Sequence, residues 1–139
     1  KDIYTLMREV QLPDELYVGQ GYGKVSWGVR TIWETYMGWF KADYTSELYP
    51  TRPPAIYGDL VKAAGRDAVL KLGKDALAAG DPEKANLFSE ALLAADPKDK
   101  DAITLAITAH EALIALSNAS NFWETGWLRD RVAKLKAAL

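Results

Sequence analysis

The sequence predicts an all-α domain, a compact bundle of helical hairpins, and three observations carry that prediction. Apolar residues recur at three- and four-residue intervals through most of the chain, and no segment shows the two-residue alternation of a half-buried strand. Helix starters and helix stoppers stand in the right order, with Asp2, Asp81 and Asn121 ahead of apolar runs and Gly80 and Pro97 behind them. Hydrophobic residues fill 49% of the 139 positions. A chain of this length buries roughly 65 to 70% of the surface its unfolded form exposes, enough for one core without cross-links.

Each element follows from its own residues. Asp2 caps a short helix through Glu9, since Ile3, Leu6, Met7 and Val10 share one face, and Pro13 closes it. A linker with Gly19, Gly21 and Gly23 comes next. No strand precedes these glycines and no Lys-Ser/Thr pair follows, so they serve a sharp turn rather than a phosphate loop. From Tyr22 to Phe40 the positions Val25, Val29, Ile32, Trp33, Tyr36, Met37 and Phe40 form one stripe of the strongest helix, and this stripe is expected to be core. Trp27 falls nearly opposite, with Arg30 and Glu34 beside it. It either packs beneath the loop that follows or meets another domain or subunit, as Trp and Arg do at interfaces.

Residues 41 to 54 hold three prolines and no periodicity, so an ordered surface loop is expected. Ile56 to Ala64 and Arg66 to Ala79 read as helical, split or kinked near Gly65, and Gly80 supplies a cheap left-handed stop. Asp81 caps the next helix, with Pro82 at its first position, and Asp96 and Pro97 end it after Ala95. Asp99 or Lys100 to Ser117 is the following helix. Asn121, with Glu124 three residues on, begins the last one towards Leu139.

Composition excludes several function classes. A net charge of −2 with no basic stripe argues against a nucleic-acid partner, and no run of 18 apolar residues suits a bilayer. Without cysteine there is neither a disulfide framework nor a thiolate metal site, and the compartment stays open. His110 is the only histidine and sits among Ile103, Ile107 and Ile114, which suits a structural residue with a hydrogen-bonded ring. No acid, base and nucleophile converge, so no catalytic, cofactor-binding or metal residue is assigned and the chain itself is not expected to be an enzyme. It begins at Lys1, and we expect a single domain, residues 1–139, excised from a larger protein.

Two family resemblances refine this. The stretch LGKDALAAGDPEKANLFSEALLAADPKDKDA, residues 72 to 102, resembles a tetratricopeptide repeat through Gly80, Ala85 and Pro97. One repeat is too few for a solenoid, yet an adaptor binding a peptide or protein partner is the alternative function it implies. The stretch YGKVSWGVRTIWETYMGWF, with LLAADPKDKDA and SNFWETGWLRD further on, is similar to the all-helical dimerisation domain of alkyl sulfatases of the metallo-β-lactamase superfamily. That resemblance covers most of the chain. It implies a non-catalytic assembly domain that forms a homodimer and helps close the substrate cleft of a hydrolase acting on sulfate esters. By the same resemblance zinc belongs to a catalytic domain of the parent chain, since the His-x-His-x-Asp-His motif is absent here. Tyr22 and Arg30 are the residues it presents towards that domain, with Trp27 at the interface, and a guanidinium suits a sulfate group by its forked donors.

Overall fold

The computed structural model describes residues 1–139 and is all-α, with seven helices and no strand. No helix is long and apolar enough to cross a membrane. The chain forms two compact units, one of residues 1–51 with 120–123 and one of residues 52–119 with 124–139.

The first unit holds α1 (Ile3–Glu9) and α2 (Val25–Met37). Asp2 caps α1 as expected: its carboxylate accepts the Thr5 amide at 2.9 Å and the Thr5 hydroxyl at 2.6 Å. The amide of Val25, the first residue of α2, donates to Gln20 Oε1 at 2.8 Å, so a side chain five residues back satisfies an otherwise orphaned donor. Gly38 stops the helix with φ 79°, a conformation that only glycine takes without strain. The helix is therefore shorter than the expected Tyr22 to Phe40. Trp39 and Phe40 lie beyond it.

The expectation that the α2 stripe is core is corrected by the structure. Val25, Val29 and Trp33 are half-buried, whereas Ile32, Tyr36, Met37 and Phe40 are exposed, and no residue of α2 is fully buried. The physical reason is length. At about 1.5 Å per residue, α1 spans roughly 10 Å and α2 roughly 20 Å, so α1, which packs against α2, covers only half of the stripe.

The second unit holds α3 (Tyr57–Ala64), α4 (Arg66–Ala78), α5 (Pro82–Ala95), α6 (Lys100–Leu116) and most of α7 (Phe122–Lys136). Helices α4, α5 and α6 pack in succession and α3 lies against α5. Val61, Val69, Leu70, Leu92, Ala102 and Leu105 make the main core, with a second group of Ile103, Ala106, Ile107 and Leu135. Small residues set the closest crossing: Ala76, Ala85 and Ala109 cluster together, and a Cβ on Gly73 would stand 2.4 Å from a Leu105 methyl. Gly65, at φ 90°, splits α3 from α4, which decides between the split and the kink that the sequence leaves open there. Gly80, at φ 76°, and the Asp81 carboxylate, which accepts the Lys84 amide at 3.0 Å, turn α4 into α5.

One clasp in this unit has no local signature. Arg66 donates through Nε to Asp99 Oδ2 at 2.8 Å and through Nη2 to Asp99 Oδ1 at 2.6 Å. Asp99 Oδ1 also accepts the amides of Asp101 and Ala102, so one carboxylate caps α6 and ties it to the start of α4. These bonds hold its carboxyl at about 2, well below the usual range; the Arg66 guanidinium is the first cause, burial opposes it, and the Ala102 amide helps.

Candidate assembly surface

The residues singled out in the sequence, Tyr22, Trp27 and Arg30, all belong to the first unit, and the local chain explains how each is held. Gly21 carbonyl accepts the Phe122 amide at 2.6 Å and Gln20 carbonyl accepts Asn121 Nδ2 at 2.7 Å. Asn121 is fully buried, so this pair is a fixed tether between residues 101 positions apart. Its effect is to seat Tyr22 against Phe122, with ring centroids 5.8 Å apart, and Phe122 against Trp123 edge-on at 5.4 Å. Of this ladder, Tyr22 alone stands out in the sequence. The other two aromatics of this ladder lie in SNFWETGW, and adjacent Phe and Trp directly after the helix-starting Asn121 was the available signal.

Trp27 and Arg30 stand on α2. Lys24 Nζ lies 5.8 Å from the Trp27 ring, a cation–π arrangement that leaves the indole 38% exposed. Arg30 Nε donates to Glu34 Oε1 at 3.0 Å, an exposed pair one helical turn apart. No hydrogen bond from the terminal guanidinium nitrogens of Arg30 accompanies it, so the fork remains able to grip an anion. Tyr22 and Arg30 thus sit on different supports, the first on the tether and the second on the helix.

What sets this unit apart is where apolar surface is left. Of the fifteen buried apolar residues in the chain, only Ile3 belongs to it. Tyr17, Val18, Ile32, Tyr36, Met37, Trp39, Tyr44 and Tyr49 are all more than half exposed. Large apolar side chains left open to water in this number are the usual material of an interaction surface, since covering them is favourable. No group of three or more His, Cys, Asp or Glu side chains is placed to hold a metal ion. His110 is buried in the second unit with Nδ1 at 2.7 Å from the Ala106 carbonyl, as the structural reading of that residue expected.

Comparison with known proteins gives this surface its context. A family model described as alkyl sulfatase dimerisation matches residues 4–129. A linear primary-alkylsulfatase of Pseudomonas sp. (strain ATCC 19151) is 37% identical over 82 residues, which is 55% of this chain and 15% of that protein. Among solved structures, a double mutant of the sec-alkyl sulfatase PisA1 superposes with a TM-score of 0.85 at 28% identity. The stereoselective inverting sec-alkylsulfatase Pisa1 from Pseudomonas sp. does so with 0.83 at 29%. Both comparisons cover 100% of this chain and 22% of the other, so the chain spans about a fifth of the solved relatives. The adaptor alternative finds no support in these relatives. The matched region runs through both compact units, from Tyr4 to Arg129, and the chain belongs to the alkyl sulfatase dimerisation family.

Proposed function

We propose that two copies of this chain pair through the apolar face that α2 leaves uncovered, and that the domain so formed, residues 1–139, assembles a larger hydrolase acting on sulfate esters. The observation that carries the reading is the burial pattern of the first unit, one buried apolar residue against a broad exposed apolar surface, in a chain of a dimerisation family. Such a unit gains its missing core from a partner, and a symmetric pair supplies one by placing the same patch on both sides. By the sequence resemblance the catalytic part of the proposed parent is a zinc-dependent domain of metallo-β-lactamase type, while the names of the relatives support its action on sulfate esters. Tyr22, Trp27 and Arg30 are the residues of this chain that face it, with Arg30 offering forked donors to a sulfate oxyanion. The chain itself contributes no metal and no catalytic group.

Met37→Asp tests the pairing. Met37 is 63% exposed in the single chain, so a charge there leaves the fold of one copy intact. At a buried apolar interface the same charge is costly, and the dimer is expected to weaken by at least tenfold in sedimentation equilibrium. Unchanged dimer affinity in Met37→Asp and in Ile32→Asp sinks this choice of face.

A further inference from the structure

Separate from the assembly surface, the second unit contains a cavity of about 260 Å³ between α5, α6 and α7, and its lining is chemically two-sided. Leu93, Leu113, Leu128 and Leu135 supply apolar wall, while Arg131 and His110 supply polar groups. Arg131 is half-buried yet has no ion pair and no hydrogen bond. The other half-buried cations are all engaged: Lys24 with the Trp27 ring, Lys41 with Glu47, and Arg66 with Asp99. A half-buried arginine on the cavity wall with no counter-charge is a ready partner for an anion arriving there. Glu90, the one carboxylate on the lining, is exposed and accepts Asn86 Nδ2 at 2.9 Å rather than pairing with Arg131.

His110 adds a second polar contact. Its Nδ1 must carry the proton, because the Ala106 carbonyl 2.7 Å away can only accept. Nε2 is then left without a protein partner. Size limits the occupant: at about 30 Å³ per water-sized group the cavity holds roughly eight or nine such groups, an anionic head and a chain of about four carbons. The geometry points to a binding site for a short amphiphilic monoanion, its head on Arg131 beside His110 and its tail among the four leucines. A carboxylate and a sulfate ester share this chemistry.

The test uses the chain's single histidine, whose ring proton signals report on the cavity without assignment ambiguity. Butyl sulfate and hexanoate, both too short to form micelles readily, are titrated into the chain alongside inorganic sulfate as head alone and hexanol as tail alone. Saturable shifts of the His110 ring signals by either amphiphile, at least tenfold tighter than with head or tail alone, are expected. The tighter of the two identifies the head group. Arg131→Gln is expected to weaken binding at least tenfold with an unchanged thermal melt, and Arg131→Lys, which keeps the charge and loses the fork, to fall between. No saturable shift with either amphiphile, binding by Arg131→Gln equal to the parent chain, or hexanol binding as tightly as butyl sulfate overturns the proposal.

Discussion

Replacing Asp99 by asparagine isolates the charge of the Arg66 clasp, because Asn is also a good helix cap and keeps nearly the same shape. The Asp99 side chain is only 9% exposed, so its interaction is little screened by solvent. Folding lowers its carboxyl from 3.8 to about 2. At 1.36 kcal/mol per pKa unit that corresponds to about 2 kcal/mol of stability. Because the folded value is the depressed one, this stability is fully present above pH 4 and is lost as the pH falls from about 4 to about 2, where both states become protonated. The exposed partners Asp67 and Asp101 of Arg66 add little. Urea titrations of the parent chain and Asp99→Asn at a series of pH values give the result directly. At pH 7 the variant is expected to be less stable by about 2 kcal/mol, a drop of roughly 5 to 10 °C in melting temperature, and the gap should close towards pH 2. A gap that stays constant from pH 7 to pH 2 refutes the reasoning, since the loss would then belong to shape and not to charge.

Two further outcomes follow from burial and geometry. Leu92→Ala, at a position 1% exposed, should cost about 2 to 5 kcal/mol by the cavity it leaves, whereas Trp33→Ala, half-buried on α2, should cost roughly 1 to 3, and paired denaturation curves compare them. Arg30→Lys should change stability by less than about 0.5 kcal/mol, because its pair with Glu34 is exposed. In the full-length parent the same change should lower turnover if the fork meets an anion, and full activity there removes Arg30 from the proposed substrate-facing set.

Helix ends were the most legible part of the fold because capping is local. Asp2 and Asp81 each satisfy an amide three residues ahead, so type and spacing suffice to find them. Gly65 and Gly80 were equally readable, since a positive φ concerns one residue at a time. Periodicity gave α2 its direction and its half-buried edge at Val25, Val29 and Trp33, but it says which residues want cover and not whether the same chain provides it. The Arg66–Asp99 clasp joins residues 33 apart and the Gln20–Asn121 tether residues 101 apart, beyond any window of pattern reading. At the candidate surface Tyr22, Trp27 and Arg30 were found as residue types in a suggestive place. Their supports, Phe122 behind Tyr22 and Lys24 over Trp27, are set by the fold and not by residue type.

The tether also orders events during synthesis. Asn121 and Phe122 leave the ribosome 101 residues after Gln20 and Gly21, about 5 to 20 s later at 5–20 residues per second. Through that interval α1 and α2 are already outside the exit tunnel, with one apolar residue to bury between them and several indole and phenol rings open to water. Within this domain the segment most prone to aggregate during synthesis is thus residues 1–51, and a hydrophobic-binding chaperone that holds that segment until α7 emerges would raise the yield of folded protein without changing its final stability.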